Sequence, residues 1–157
     1  MKRKADTRTV AVDSSIVVKW FKKGEDFESE ALRLRDDVLS STVVALASEL
    51  IHLEVCRALV KVGYPYGKVD EAYSTLNEIT DLGFMRSVST ATVKDKAKDF
   101  VRNFNLYVSD ALSLATAVVS SSDLLTEDRH LLKEEIKNMM RKNGLRVVGL
   151  KEEYPKL

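Results

Sequence analysis

The sequence predicts an α/β fold with a central parallel sheet of four to five strands flanked by helices. Short apolar runs rich in β-branched residues alternate along the chain with longer segments in which apolar residues recur at helical spacing. Because helices intervene between the strands, the connections are crossovers, and crossovers join parallel strands. Such a sheet is covered by helices on both faces.

The length and composition of the chain fit one domain with its own hydrophobic core. The chain has 157 residues, of which 45% are hydrophobic. Only Pro65 and Pro155 interrupt it, and the sequence contains neither a repeat nor a low-complexity linker. We therefore expect a single domain over residues 1–157, with a core over about 8–150.

In the first half of the chain, two apolar, β-branched runs predict strands at 9–12 and 41–45. The first strand ends at Asp13, and the residues after it return to helical spacing. Helices are predicted at 16–21, 27–38, 46–62 and 65–82. Pro65 separates the last two of these helices and is a residue type that favours the beginning of a helix.

The second half of the chain continues this alternation. Strands are predicted at 84–89, 123–126 and 145–149, and helices at 90–104, 109–119 and 128–140. Asn105 is expected to end the first of these helices in a left-handed conformation. The helix from 109 is apolar on nearly every side, which predicts that it is buried. Asp128 is expected to open the last helix, and the C-terminal residues are predicted to form a loose tail.

The charges of the chain nearly balance. It has 25 Lys and Arg residues and 24 Asp and Glu residues, which gives a formal net charge of +1. The protein as a whole therefore lacks the strongly basic character of many nucleic-acid binders, and any basic surface must be local.

The single cysteine, Cys56, excludes an internal disulfide and argues against a zinc site built from cysteines. This pattern indicates a reducing, intracellular compartment. The N-terminal sequence has basic residues but no apolar stretch long enough for a signal peptide, and no window of the sequence reaches the length of a membrane span. We therefore expect a cytoplasmic protein with no membrane partner.

Four acidic residues lie at positions that could converge at one edge of the sheet. Two of them follow predicted strands, and two lie on helices that could pack against that edge. Asp13 and Asp128 follow predicted strands, and Asp110 lies in the first turn of the buried helix. Glu54 lies in the middle of a helix that could pack across the same edge of the sheet. Ligand sites of open parallel sheets lie beyond the carboxyl ends of the strands, so the four side chains could converge. Helix capping explains each aspartate separately about as well.

Converged carboxylates remain ionised together only when a cation neutralises them. The cations suited to oxygen ligands are Mg²⁺ and Mn²⁺. With two such ions about 3.5–4 Å apart, one activates the attacking water and the other stabilises the leaving oxygen of a phosphodiester. The acids therefore favour metal-dependent hydrolysis of a phosphodiester.

Four segments of the sequence resemble the motifs of the PIN domain family. Segment 10–15 resembles the opening strand with its catalytic aspartate and small hydroxyl residues, and segment 50–59 resembles the helix that bears the family's glutamate. Segment 110–117 closely matches the third motif, and segment 124–129 resembles the fourth. In length and layout the chain is similar to the VapC-type toxin ribonucleases of bacterial and archaeal toxin–antitoxin systems.

The resemblance implies a PIN-like three-layer sandwich and an endoribonuclease that depends on Mg²⁺ or Mn²⁺. The catalytic and metal-binding roles that it implies fall on Asp13, Glu54, Asp110 and Asp128. It also implies an RNA substrate, a homodimer and inhibition by a cognate VapB-type antitoxin, without indicating a particular RNA.

Two points stay open in this assignment. Ser48 stands where many relatives have proline before the glutamate helix, which leaves Glu49 as an alternative to Glu54. The position of the fourth acid varies within the family, so the role of Asp128 as a direct ligand is also open.

Hydroxyl and basic residues near these acids are further candidates. Ser15 and Thr126 are predicted to hydrogen-bond the carboxylates or a metal-bound water, although such hydroxyls also satisfy backbone groups. Lys19, Arg129 and Lys133 are candidate RNA-binding residues. The last two belong to a basic stripe with a period of four residues, for which a solvated helix face is the alternative.

The two histidines, His52 and His130, have no partner pattern in the sequence. They are expected to be ordinary, partly exposed residues outside the mechanism.

An alternative function is a catalytically silent PIN-like module that binds RNA or protein, because a fold does not determine a function. The nuclease requires a divalent ion and the binding module does not, so a metal titration separates the two functions.

Overall fold

A five-stranded parallel sheet lies at the centre of the protein, whose computed structural model describes residues 7–157. The strands are β1 Arg8–Val12, β2 Val43–Ser48, β3 Met85–Val88, β4 Leu124–Leu125 and β5 Val147–Val148. Their order in the sheet is β3, β2, β1, β4, β5, and every neighbouring pair is parallel. The predicted α/β class with a parallel sheet of four to five strands is confirmed. Residues 1–6 of the expected domain lie outside the described residues.

Helices cover both faces of this sheet. They are α1 Ser14–Val17, α2 Glu28–Leu39, α3 Ile51–Lys61, α4 Tyr66–Asp81, α5 Thr90–Phe104, α6 Val108–Val119, α7 Glu134–Lys142 and α8 Leu150–Glu153. A 3₁₀ turn, Val18–Trp20, extends α1. Among residues 7–157, no helix combines the length and the apolar character needed to span a bilayer.

The alternating side chains of β1 separate the two hydrophobic cores. Val10 and Val12 pack in a cluster with buried residues of α1, α2, α3, α4 and α8. Ala11 packs on the opposite face, in a cluster with buried residues of α5, α6 and α7. This arrangement follows from the period of two in a strand. It gives the three layers that the PIN-like resemblance implies.

Helix α6 is buried at every residue from Asp110 to Ala117. Most of these residues are alanine and leucine, which let the helix pack closely between α5 and the sheet. The prediction of a buried helix is therefore confirmed, as is the left-handed conformation of Asn105 at the end of α5, where φ is 51°. Burial fixes the first turn of α6, and hence Asp110, against the edge of the sheet.

The carboxyl ends of β1 and β4 lie side by side. Val12 pairs with Leu125 in the parallel register, and the N–H of Asp13 donates to the carbonyl of Leu125 over 3.1 Å. The next residue, Thr126, donates its N–H to the carbonyl of Val148 over 3.0 Å. Backbone pairing therefore brings Asp13 and Thr126 to the same edge of the sheet.

Two predicted boundaries are wrong. Strand β2 continues to Ser48, because Leu46 and Ala47 pair with β3, and α3 begins only at Ile51. A buried apolar run fits a strand and a helix equally well until its pairing is known.

The second wrong boundary concerns Asp128, which does not open a helix, because α7 begins at Glu134. The carboxylate of Asp128 instead accepts the N–H of His130 over 2.7 Å. The side chains of aspartates form such local bonds with the backbone in competition with helix formation. Residues 128–133 therefore form turns before the helix.

The prediction of a loose C-terminal tail is also wrong. Helix α8 is followed by Tyr154, which is buried and donates its hydroxyl to the carboxylate of Asp37 in α2 over 2.7 Å. Arg33, on the same helix, donates to the carbonyl of Pro155 over 2.8 Å. Its guanidinium also lies 5.3 Å from the centre of the Tyr154 ring. The C-terminal segment therefore stabilises α2 by a hydrogen bond and a cation–π contact.

Replacing Tyr154 by phenylalanine is expected to lower the free energy of unfolding by about 1 kcal/mol, because it removes the hydroxyl that Asp37 accepts. Urea denaturation of the variant and the wild type measures this change. Tyr66→Phe is the control, since Tyr66 is 82% exposed. Equal stabilities for Tyr154→Phe and the control would contradict this role of the C-terminal segment.

Candidate active site

The four predicted acids come from four different parts of the fold. Asp13 follows β1, Asp110 lies in the first turn of α6, and Glu54 lies in the first turn of α3. Asp128 lies in the turn after β4. Asp13 and Asp110 are buried, with 3% and 7% of their surface exposed, and the other two are half-buried. Carboxylates are rarely buried to this extent unless a partner compensates their charge.

Three donors fix the carboxylate of Asp13. The hydroxyl of Ser113 donates to Oδ1 over 2.8 Å, and the hydroxyl of Thr126 donates to Oδ2 over 3.2 Å. The N–H of Ser15 also donates to Oδ2, over 3.3 Å. The bond from Ser113 ties β1 to the helix that carries Asp110. Both oxygens of Asp13 are therefore held in one orientation.

Ser113 was not predicted from the sequence. It lies three residues after Asp110 in α6, a spacing that places both side chains on the same face of a helix. That spacing was the available signal, but serine in an apolar helix does not by itself identify a partner.

The pKa of Asp110 responds to its burial and to the other three acids. Burial, and after it the charges of Asp128, Asp13 and Glu54 in that order of effect, raise it from 3.8 to about 7. Like charges raise the pKa of a carboxyl group when they lie close to it. Asp13, Glu54 and Asp128 therefore lie close enough to Asp110 for their charges to act on it.

Glu54 has the same kind of environment. Burial raises the pKa of its carboxyl, and Asp13 raises it further, against an opposing effect of Ser14. Its Oε1 atom is buried and has no hydrogen-bond partner among residues 7–157. A buried carboxylate oxygen without a partner is costly, so this atom is suited to contact with a cation or to protonation.

The alternative glutamate, Glu49, has a different contact. It is exposed, and its Oε1 accepts the N–H of Thr90 over 2.8 Å at the start of α5. This hydrogen bond lowers the pKa of Glu49. Glu49 therefore caps α5, whereas Glu54 is the glutamate whose charge is coupled to Asp13 and Asp110.

Ser15 and Thr126 lie between the acids. Their hydroxyl oxygens are 3.3 Å apart, and Thr126 donates its proton to Asp13. Thr126 also accepts the N–H of Asp128 over 3.0 Å, and Ser15 accepts the N–H of Glu127 over 3.0 Å. The hydroxyl of Thr126 therefore contacts a carboxylate and satisfies a backbone group at once, whereas the hydroxyl of Ser15 contacts Thr126 and a backbone group. Thr126 links the turn of Asp128 to Asp13.

Lys19, a candidate RNA-binding residue, makes its contacts within the protein. Its side chain is buried, its ammonium donates to the carbonyl of Asp26 over 2.8 Å, and it lies 3.5 Å from the carboxylate of Glu25. Helix packing places the ammonium against this loop instead of toward solvent. Arg129 and Lys133 are exposed, but both precede α7, so the predicted basic stripe does not follow one helix.

The donor set of this site fits a hard divalent cation. All four candidate ligands are carboxylates, which hard cations prefer. A cation at the site would compensate the unpartnered oxygen of Glu54 and would stabilise the ionised form of Asp110. Among residues 7–157, no three His, Cys, Asp or Glu side chains are arranged to ligate one ion directly. Mg²⁺ needs only one or two direct carboxylates, because it keeps several of its waters. The acids therefore fit a hydrated ion.

Comparisons with known proteins identify the family. The PIN domain family matches residues 10–135. A toxin–antitoxin complex from Klebsiella pneumoniae is 16% identical, with a TM-score of 0.57 over 80% of this chain and 92% of that chain. VapBC2 from Rickettsia felis, bound to a DNA fragment from its promoter, is also 16% identical, with a TM-score of 0.57 over 90% of this chain and 98% of that chain. No curated protein matches the sequence.

The solved structures share the fold, and the family match covers the segments that carry Asp13, Glu54, Asp110 and Asp128. The predicted family resemblance is therefore confirmed, and the chain belongs to the PIN domain family.

Proposed function

We propose that this protein is an endoribonuclease that hydrolyses RNA phosphodiester bonds with the help of Mg²⁺ or Mn²⁺ held by Asp13, Glu54, Asp110 and Asp128. The observation that supports this proposal most strongly is the burial of two carboxylates, those of Asp13 and Asp110, at the same sheet edge. Burial and the three other acids raise the pKa of Asp110 to about 7. Four carboxylates gathered at one sheet edge are costly in the absence of a cation, so their convergence favours a metal-dependent reaction.

The residues of the chain supply binding and orientation. Asp13, fixed by three donors, offers a preorganised carboxylate, and Asp110 and Glu54 add the charge that attracts a cation. A bound Mg²⁺ or Mn²⁺ supplies Lewis-acid activation of the phosphodiester and of the attacking water. Thr126 holds the Asp128 turn beside Asp13, which keeps the fourth carboxylate at the site.

We further propose that the protein is the toxin of a type II toxin–antitoxin pair, acting as a homodimer that a VapB-type antitoxin inhibits. The support is the shared fold with two proteins whose structures are described as toxin–antitoxin complexes. Copurification with the product of a neighbouring small gene tests the partner.

Incubation of the purified protein with a pool of RNA oligonucleotides tests the proposed activity. Cleavage is expected with Mg²⁺ or Mn²⁺, is expected to stop with EDTA, and should return when excess Mn²⁺ is added. Cleavage that persists in EDTA would contradict the proposed mechanism. Binding of RNA without cleavage under any metal condition would favour the silent binding module instead.

The two glutamates near the start of α3 provide a matched pair of variants. Glu54→Gln is expected to lower kcat/KM by about 10- to 100-fold, the usual effect of losing a group that tunes a metal site. Glu49→Gln is expected to retain wild-type activity, because Glu49 contacts the start of α5. Equal losses in both variants would contradict the assignment of Glu54.

A further inference from the structure

A small cleft of about 260 Å³ lies between the start of α6 and the turns that precede α7. Its lining residues are Asn105, Leu106, Tyr107, His130 and Lys133. We propose that this cleft binds one unpaired nucleotide of the RNA, with the base against Tyr107 and a neighbouring phosphate at Lys133. The proposal rests on the proposed ribonuclease function and adds the residues that hold the nucleotide.

The aromatic part of the cleft is exposed and held in place. Tyr107 is 72% exposed, and its ring centre lies 5.9 Å from that of His130, with the two planes at 78°. This edge-to-face contact restrains the tyrosine ring without covering it. A large aromatic ring that is both restrained and exposed offers a surface on which a base can stack.

The charge of the cleft suits a phosphate. Lys133 is exposed at its rim, and none of its lining residues within the described part of the chain is a carboxylate. The amide of Asn105 adds groups that can hydrogen-bond a base or a ribose. The cleft therefore combines a stacking surface, hydrogen-bonding groups and a cation, the combination that proteins use for single-stranded nucleic acids.

The backbone connects the cleft directly to the acids. The carbonyl of Tyr107 accepts the N–H of Ala111 over 3.0 Å in the first turn of α6, next to Asp110. On the other side, the N–H of His130 donates to the carboxylate of Asp128 over 2.7 Å. Both aromatic residues are therefore fixed to segments that carry site acids. A nucleotide in the cleft would therefore lie beside the segments that carry Asp110 and Asp128.

The stacking contact selects the form of the RNA. A base that stacks on Tyr107 must leave its own helical stack, and this costs least in single strands, loops and bulges. A nucleotide bound in the cleft is therefore unpaired.

Equilibrium binding of a labelled single-stranded RNA in the Asp13→Asn background, which is not expected to cleave, tests the proposal by fluorescence anisotropy. Tyr107→Ala is expected to weaken binding by about 5- to 100-fold through loss of stacking, and Tyr107→Phe should keep the affinity. Lys133→Ala should reduce the dependence of log affinity on log salt by about one unit. Tyr66→Ala and Lys98→Ala, exposed residues outside the cleft, are the controls.

Oligonucleotides with one abasic position each locate the stacked base. For one of these oligonucleotides, the protein with Tyr107 and the Tyr107→Ala variant should have equal affinity. In that oligonucleotide, the base that Tyr107 contacts is already missing. Affinity of Tyr107→Ala equal to that of Tyr66→Ala for every oligonucleotide would overturn the proposal, as would absence of any RNA binding.

A cleavage assay with the protein that retains Asp13 separates the proposed cleft from the proposed ribonuclease function. Cleavage combined with no effect of Tyr107→Ala on binding would overturn the cleft and leave the ribonuclease. Binding that depends on Tyr107, combined with no cleavage under any metal condition, would overturn the ribonuclease and support the cleft.

Discussion

Replacing Asp13 by asparagine is expected to lower kcat/KM for RNA cleavage on the order of 10³-fold, more than the roughly 10- to 100-fold loss typical of residues that only orient a ligand. Asparagine loses the negative charge but keeps the shape of the side chain. Its amide nitrogen can take the place of Oδ1, where the hydroxyl of Ser113 rotates to accept it, while Thr126 and Ser15 still donate to the remaining oxygen. The protein should therefore stay folded.

Steady-state cleavage assays measure this loss, and circular dichroism with thermal melting confirms the fold. Asp95→Asn is the matched control, because Asp95 is an exposed aspartate on α5. It should retain full activity. Cleavage by Asp13→Asn at the wild-type rate would remove Asp13 from the mechanism.

The stability of the ion-free protein is expected to fall as the pH rises from about 4 to about 7. The pKa of Asp110 is about 7 in the folded protein and is raised by burial and by the neighbouring acids, against 3.8 for the free side chain. Between these values the unfolded chain loses a proton that the folded protein keeps, and above pH 7 the folded protein carries the full cost. Solvent screens part of the site, so we expect this cost to be on the order of 1–2 kcal/mol.

A divalent ion should reverse this loss. At about 100 times its dissociation constant, Mn²⁺ stabilises the folded state by about 2.7 kcal/mol, or roughly 5–10 °C in Tm for a chain of this size. The increase should be large at pH 8 and small at pH 5, because the ion competes with the proton on Asp110. Thermal melts with and without Mn²⁺ at both pH values measure it.

Asp110→Asn separates the effect of this residue from the general effect of pH. Without divalent ions at pH 8, the variant should be more stable than the wild type, and it should gain little from Mn²⁺. If the wild type without divalent ions were equally stable at pH 5 and pH 8, this result would contradict the raised pKa of Asp110 in the folded protein.

The sequence was sufficient to predict that Asp13 and Asp110 lie near each other, because both positions follow from the order of strands and helices. Asp13 follows a strand at a parallel sheet edge, and Asp110 begins a helix that is apolar on nearly every side. A helix of that composition must lie against the sheet, so its first turn meets the strand ends. Local pattern and global fold agree at these positions.

The choice between Glu54 and Glu49 needed the structure. Both glutamates occur near one helix, and the boundary between β2 and α3 was predicted three residues too early at the strand end. Only the pairing of Leu46 and Ala47 with β3 shows that β2 continues to Ser48 and that α3 begins after it. Sequence pattern does not contain such pairing.

Side-chain contacts between segments distant in sequence could not be predicted from the sequence either. Lys19 is a candidate for binding phosphates because it follows Asp13 in the sequence, but its ammonium donates a hydrogen bond to the carbonyl of Asp26. His130 looked ordinary because its aromatic partner, Tyr107, is distant in sequence. Contacts of this kind depend on how loops pack, and loops carry no hydrophobic period that would predict their path.

Calorimetric titration of Mn²⁺ at pH 8 tests the central claim most directly, namely that acids from β1, α3, α6 and the turn after β4 share a bound cation. We expect saturable binding by the wild type and by Asp95→Asn, and binding weakened at least about 10-fold by Asp13→Asn and by Asp110→Asn. Equal affinity of Mn²⁺ for the wild type and for both site variants would contradict the claim.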